Sequence, residues 1–142
     1  HCAPREGEWV SPAPLFEKYF GDTGIKTLVN FQNPPEWVTG PDGTKFTYPP
    51  RRLDAFREYV GRAAAELAPW LSAAAFINEP NAHFHGGDRT YLAYQRAVFE
   101  EVRKAAPAVT LCGLQPGTGA HARRRRLSRP PGAGPWAREC AA

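Results

Sequence analysis

The sequence predicts an α/β protein with its strands in a parallel sheet. Short apolar runs of strand length alternate along the chain with longer segments in which apolar residues recur at helical spacing. Strands that alternate with amphipathic helices are typical of right-handed βαβ crossovers, which place successive strands parallel in one sheet. A polar residue directly follows each of three apolar runs. The same pattern therefore also predicts where functional side chains gather.

The first predicted helix and strand lie between residues 15 and 31. Four large apolar residues form the stripe of this helix, which ends at a glycine turn: Leu15, Phe16, Tyr19 and Phe20. The strand runs from Ile25 to Phe31, and its apolar content without strict alternation is typical of a parallel strand buried on both faces. A long loop rich in proline and glycine follows the strand. Its length makes it a candidate binding loop.

Two further pairs of helix and strand follow this loop. The stripe of the second helix is Leu53, Phe56, Val60, Ala64 and Leu67, and its strand runs from Leu71 to Ile77. For the third helix the sequence predicts Asp88 as the N-cap and Pro107 as the stop. Its stripe is Tyr91, Tyr94, Val98, Val102 and Ala105. The last strand runs from Val109 to Leu114, where we expect Cys112 to be a small buried residue.

Glu79 is the candidate catalytic residue. It lies where an apolar strand ends, and we expect Pro80 to hold it in an extended conformation. A carboxylic acid there can protonate a glycosidic oxygen, while the amide of Asn78 can bind a ring hydroxyl. Because parallel strands end on one face, we expect the polar residues after three strands to lie together. These are Gln32, Asn33, Asn78, Glu79 and Gln115.

Several segments of the sequence resemble a known enzyme family. The run FINEPNAHF, the helix from Tyr91 to Ala106 and the strand VTLCGL resemble the fourth and fifth strands of clan A retaining glycoside hydrolases. The nearest type is that of β-xylosidase and α-iduronidase, with cellulase-like members next. Upstream, GIKTLVNFQNPPEW resembles their third strand, and the resemblance covers roughly residues 8 to 116. It implies a (β/α)8 barrel, with Glu79 as the acid/base and Asn78 as the ligand of the hydroxyl next to the anomeric carbon.

The resemblance also implies that this barrel is partial. A complete barrel needs about 250 residues, and this chain has 142. The family supplies its nucleophile as a Glu at the end of the seventh strand, whereas the strands here stop near the fifth. We therefore expect residues 1 to 118 to be a segment of a glycosidase catalytic domain, about strands 3 to 5 of a TIM barrel. This segment would carry the acid/base but lack the nucleophile, so we expect it to be inactive alone. The resemblance implies no cofactor.

Four more residues are candidates for substrate binding: Trp37, Asn81, His83 and His85. Trp37 follows a strand end, and its large rigid ring suits stacking on a pyranose, although packing under the long loop is an equal alternative. Asn81 and the two histidines belong to the loop after Glu79. The histidines resemble a metal pair, but no third ligand lies near in sequence, so no metal site is predicted.

Basic charge is confined to the end of the chain. Residues 119 to 142 carry six Arg and one Glu, whereas the first 118 residues hold 12 Lys and Arg against 13 acids. The first 118 residues are nearly neutral, whereas nucleic-acid binders usually carry clustered positive charge, so nucleic acid is not an expected partner. Of the last 24 residues, 18 are Gly, Ala, Arg or Pro. We interpret them as a disordered basic tail, or as the product of a GC-rich gene read out of frame.

Two other classes of function stay open at this stage. One is a carbohydrate-binding protein without activity, made from a partial barrel, and the other is a nucleic-acid binder that uses the Arg-rich tail. No apolar run approaches the roughly 18 residues of a membrane helix, so no membrane is expected as a partner. The expected partner is an oligosaccharide or polysaccharide. The compartment is left open.

Overall fold

The computed structural model describes residues 2–32, 36–39, 52–80, 84 and 86–113. They form a small parallel sheet and several helices. In chain order the elements are α1 (Ala13–Phe20), β1 (Thr27–Asn30), α2 (Glu36–Thr39), α3 (Leu53–Leu67), β2 (Leu71–Ala75), α4 (Gly87–Ala105) and β3 (Thr110–Leu111).

The three strands form one sheet in the order β1-β2-β3, and both pairings are parallel. Leu28, Val29 and Asn30 lie beside Ala73, Ala74 and Ala75, with an irregularity after Thr27. On the other side of β2, Ala73 and Ala74 lie beside Thr110 and Leu111. Parallel pairing is thus what the alternation of strands and helices predicts. That this sheet belongs to a barrel stays a prediction.

Helices α3 and α4 cover one face of the sheet and form the core with it. The predicted apolar stripes are confirmed: Phe56, Val60, Ala64 and Leu67 of α3 are buried, as are Tyr91, Tyr94, Val98 and Val102 of α4. Rings interlock at the centre, where the centroid of Phe56 lies 5.2 Å from that of Tyr94 and 5.8 Å from that of Phe76. The small side chains of β2 let the helices approach the sheet closely.

An ion-pair cluster joins the two helices at the edge of this core. The guanidinium of Arg57 on α3 lies 2.7 Å from a carboxylate oxygen of Glu100 and 2.7 Å from one of Glu101 on α4. Lys104 lies 3.0 Å from Glu101, and Arg96 lies 3.1 Å from Glu100. Glu101 is largely buried by these contacts, with 15% of its side chain exposed. Both acids are therefore held in the helix layer.

The stripe of α1 is only partly packed. Leu15 and Tyr19 are 58% and 59% exposed, whereas Phe16 packs against the core with its ring centroid 6.1 Å from that of Trp70. Residues four apart share one row on a helix, so Leu15 with Tyr19 and Phe16 with Phe20 form two neighbouring rows. The second row alone faces the core.

Several details predicted for these elements are wrong. Gly86, not Asp88, is the N-cap of α4, because two glycines make the turn into this helix and place Asp88 in its first turn. Its carboxylate there still faces the positive end of the helix dipole. Ile25 lies before β1 and is exposed, and β1 is not buried on both faces, since Leu28 in this strand is 46% exposed on the side away from the helix layer. Cys112 follows β3 and is half-buried rather than buried.

Candidate functional site

The candidate site lies where β1 and β2 end. Beyond β1, the N–H of Phe31 donates to the carbonyl of Ala75 at 2.9 Å, so the pairing continues past the last strand residue. Phe31 is 1% exposed and Phe76 3%. These buried rings fix the two strand ends. The polar Gln32 follows Phe31 directly, whereas the polar Asn78 and Glu79 follow Phe76 after the buried Ile77.

The rings around Phe76 hold the segment that leads to the candidate acid. Its centroid lies 5.9 Å from that of Tyr94, 5.7 Å from that of Tyr91 and 5.8 Å from that of Phe84. Burial raises the pKa of Tyr91 to about 12 and also raises the pKa of Tyr94, so both hydroxyls stay neutral. Phe84 belongs to the loop after Glu79, so this cluster fixes the chain on both sides of that residue.

The structure brings together two of the residues predicted to meet at the strand ends. The backbone N–H of Asn78 donates to Oε1 of Gln32 at 3.1 Å, across 46 residues of sequence. The side chain of Asn78 is exposed, which leaves its amide accessible to a ligand. Of the other predicted members, Asn33 and Gln115 lie outside the described residues.

Glu79 adopts an unusual backbone conformation. Its φ is +49°, and it is the non-glycine residue with positive φ in the described part of the chain. The predicted extended conformation is therefore wrong. Pro80 disfavours a right-handed helical conformation in the residue before it, and the chain turns directly after Glu79, since the N–H of Phe84 donates to the carbonyl of Pro80 at 3.0 Å. The left-handed conformation satisfies both conditions.

The left-handed conformation of Glu79 carries a cost in free energy. A left-handed conformation costs a side-chain-bearing residue about 1–2 kcal/mol, and such strain clusters at functional sites. Glu79 is half-buried, so its carboxylate is neither fully solvated nor enclosed in the core. A carboxyl group held in this way suits proton transfer to a bound ligand.

Trp37 packs against the N-terminal segment. Its indole N–H donates to the carbonyl of Ala3 at 3.0 Å, and the guanidinium carbon of Arg52 lies 6.0 Å from its ring centroid. These contacts occupy one edge and one face of the ring. Most of the long loop, under which the ring was alternatively expected to pack, lies outside the described residues. The ring also lines a cavity with Trp9 and Tyr59. Its role in substrate binding stays a prediction.

The remaining predicted ligand residues are not described. Asn81, His83 and His85 lie outside the described residues, and their proposed contacts with substrate stay predictions. In the part of the chain that the structure describes, no group of three His, Cys, Asp or Glu side chains is arranged to hold a metal ion. Within the same ranges, no helix is long and apolar enough to span a membrane.

Asn30 is a polar residue near the site that the sequence pattern did not single out. Val29 packs against the helix layer, so Asn30, one residue further along β1, points to the opposite face of the sheet. Its side-chain Oδ1 is buried and has no hydrogen-bond partner among the described residues. The sequence feature that could have identified Asn30 is its place as a polar residue near the end of the apolar run from Ile25 to Phe31.

Comparisons with known proteins return no relatives. No family model matches the chain. No curated protein and no solved structure matches it either.

Proposed function

We propose that this chain is part of a retaining glycosidase that hydrolyses O-glycosyl bonds of an oligosaccharide or polysaccharide. Glu79 is the acid/base in this proposal, and Asn78 binds a sugar hydroxyl. The observation that carries the proposal is the position of Asn78, Glu79 and Pro80 just beyond the central strand, with two residues between the strand end and Asn78, and with Glu79 held at a φ of +49°. The sequence resemblance to clan A enzymes points to the same two residues.

The chemistry assigns one role to each group. In the first step, the carboxylic acid of Glu79 gives its proton to the glycosidic oxygen as the bond to the anomeric carbon breaks. In the second step, the carboxylate takes a proton from the attacking water. The side-chain amide of Asn78 donates to the neighbouring sugar hydroxyl. Gln32 is a positioning residue, because its Oε1 accepts a hydrogen bond from the backbone of Asn78.

A retaining mechanism needs a second carboxylate about 5–5.5 Å from the first. The described acids after Glu79 are held elsewhere: Arg57 binds Glu100 and Glu101, and Asp88 lies in the first turn of α4. We therefore place the nucleophile outside this set, in agreement with its position in the resembling family. The chain alone is then expected to bind glycan but not to turn it over.

A chimera tests the role of Glu79. Residues 71–113 of this chain replace the matching βα unit of a complete clan A enzyme, and turnover is measured on an aryl and an alkyl glycoside. Glu79→Gln should slow the alkyl substrate by about 10²–10⁴-fold, since its poor leaving group needs the proton. The aryl substrate should be slowed far less. Equal slowing of both substrates would contradict the acid/base role.

Two alternative functions predict different outcomes, one in this chimera and one in the full chain. A carbohydrate-binding protein without activity would give a folded chimera that binds glycan but does not turn over either substrate. A nucleic-acid binder would show salt-dependent affinity for DNA in the full chain and none for glycan. The Arg-rich segment on which that second alternative rests lies outside the described residues.

A further inference from the structure

A cavity of about 290 Å³ lies between residues 2–10 and the first half of α3. We call it the N-terminal cavity. Three aromatic side chains line it, those of Trp9, Trp37 and Tyr59. Its described lining contains none of the residues at the strand ends, and its volume is close to the lower end for small-molecule pockets.

Hydrogen bonds fix the aromatic walls of the N-terminal cavity. The indole N–H of Trp9 donates to Oε1 of Glu66 at 2.9 Å, and that of Trp37 donates to the carbonyl of Ala3 at 3.0 Å. The ring centroids of Trp9 and Tyr59 are 6.1 Å apart. Walls that are ordered before binding reduce the entropy that a ligand loses when it binds.

The charges around the cavity disfavour a cationic ligand. The guanidinium carbon of Arg62 lies 4.5 Å from the ring centroid of Trp9, and that of Arg52 lies 6.0 Å from that of Trp37. Each indole therefore already has a cation over one face. A ligand cation would have to displace a guanidinium group to reach either of these ring faces.

An anionic ligand is disfavoured as well. Arg52 is bound to Glu6 and Asp54, and the guanidinium of Arg62 lies 3.5 Å from Glu66, so both cations are already neutralised. Two further carboxylates line the cavity, Glu8 and Glu58. Among the described residues Glu58 has no ion pair, and Glu8 is 3.9 Å from Arg5 at its nearest. Both are exposed residues, so their carboxylates are free to accept hydrogen bonds from the hydroxyls of a ligand.

We propose that the N-terminal cavity binds a sugar unit of a neutral glycan. Carbon-bound hydrogens of the pyranose would pack on the indole rings, and its hydroxyls would donate to Glu58 and Glu8. This inference goes beyond the role of Glu79 and does not rest on it. Because Trp37 is only five positions after Gln32 in the sequence, their Cα atoms lie at most about 18 Å apart. The cavity is thus close to the strand ends, where a longer glycan would continue.

Two substitutions on α3 test the cavity in different ways. Ala55→Leu fills it, since Ala55 lines the cavity, and Glu58→Ala removes an acceptor that holds no described partner. Ala65→Leu is the matched control, because Ala65 is an exposed residue of the same helix outside the described lining. Binding of xylotetraose and of cellotetraose to the full chain is measured by calorimetry, with circular dichroism to verify folding.

We expect the wild-type chain to bind at least one of the two glycans. Each of the two substitutions Ala55→Leu and Glu58→Ala should weaken binding by about tenfold or more. Ala55→Leu does so because it fills the cavity, and Glu58→Ala because it removes a hydrogen bond to a charged group. Ala65→Leu should leave affinity within about twofold. Equal affinity of Ala55→Leu and Ala65→Leu for glycan would overturn the inference, as would the absence of binding to both glycans. Tighter binding of the cation tetramethylammonium, measured by the same calorimetry, would also overturn it.

Asn78→Ala separates this inference from the proposed function. If this substitution alone removes binding while Ala55→Leu has no effect, the glycan binds only at the strand ends. The inference would then be wrong and the proposed function would stand. If Ala55→Leu alone removes binding, the cavity is the glycan site, and the sugar-binding role of Asn78 fails.

Discussion

The side chain of Gln32 and the backbone of Asn78 are joined by a hydrogen bond of 3.1 Å that crosses from the end of β1 to the end of β2. It ties the residue before the candidate acid to a neighbouring strand rather than to its own loop. A backbone N–H that is bound in this way fixes where the next residue starts. The position of Glu79 therefore depends on a residue 47 positions earlier in the chain.

Gln32→Ala should loosen the end of β2. Loss of this neutral hydrogen bond should lower the free energy of unfolding by about 0.5–1.5 kcal/mol and speed hydrogen exchange at the amide of Asn78. Urea unfolding and amide exchange measure the two effects. Gln32→Glu keeps an acceptor oxygen and should retain slow exchange, so fast exchange in both variants would contradict the assigned bond.

Glu79→Gly should be more stable than Glu79→Ala by about 1 kcal/mol. Both substitutions remove the carboxylate with all its contacts, but glycine alone adopts the observed φ of +49° without strain. Thermal unfolding of the pair isolates this difference. Equal stability of the two variants would show that residue 79 carries no backbone strain.

Arg57→Met should lower the free energy of unfolding by about 1–2 kcal/mol, because it leaves the largely buried Glu101 without its partner on α3. Arg96→Met is the control. Its side chain is 70% exposed and its ion pair is with Glu100 on the same helix, so the loss should be below about 0.5 kcal/mol. Similar losses in both variants would mean that the cluster does not join the helices.

The same cluster predicts how stability changes with pH. Burial alone would raise the pKa of Glu101, but hydrogen bonds from Lys104 and Arg57, together with their charges, lower it below the ordinary value of 4.5. A carboxyl group with a lowered pKa stabilises the fold above its ordinary pKa, and this stability is lost as the pH falls through the folded value. Urea unfolding between pH 7 and pH 3 should show a smaller loss for Arg57→Met than for wild type.

Glu66→Ala should release the N-terminal segment from α3. Glu66 accepts hydrogen bonds from Trp9 at 2.9 Å and from the hydroxyl of Ser11 at 2.5 Å. We expect tryptophan emission to move to longer wavelength and unfolding free energy to fall by about 1–3 kcal/mol, as for hydrogen bonds to a charged group. Glu58→Ala on the same helix should change neither quantity. An unchanged emission spectrum in Glu66→Ala would argue against this attachment.

Much of the helix layer could be predicted from the sequence. The stripes from Phe56 to Leu67 and from Tyr91 to Val102 recur at the helical period over several turns, so many positions agree on one buried face. The predicted start of α4 at Asp88 and the predicted start of β1 at Ile25 were less accurate, because each rested on a single residue. Two glycines set the start of α4 instead, and β1 is a short strand with one open edge.

The details of the site could not be predicted in the same way. The hydrogen bond between Gln32 and Asn78 depends on the register of two strands, which no local pattern contains. The left-handed φ of Glu79 depends on the direction that the chain takes after Pro80. Residues 2–10 show no apolar period, yet Trp9 attaches them to α3 through long-range side-chain contacts with Tyr59, Arg62 and Glu66.

Strand β1 has consequences for how the molecule behaves in concentrated solution. Among the described strands it pairs with β2 on one side only, and Leu28 at its centre is 46% exposed. An open strand edge presents N–H and C=O groups that can pair with the edge of another chain. We expect self-association to rise with protein concentration, so light scattering would give an apparent mass above 15.7 kDa at high concentration. Leu28→Lys should reduce this association, because a charged side chain on an open strand disfavours pairing with another strand edge.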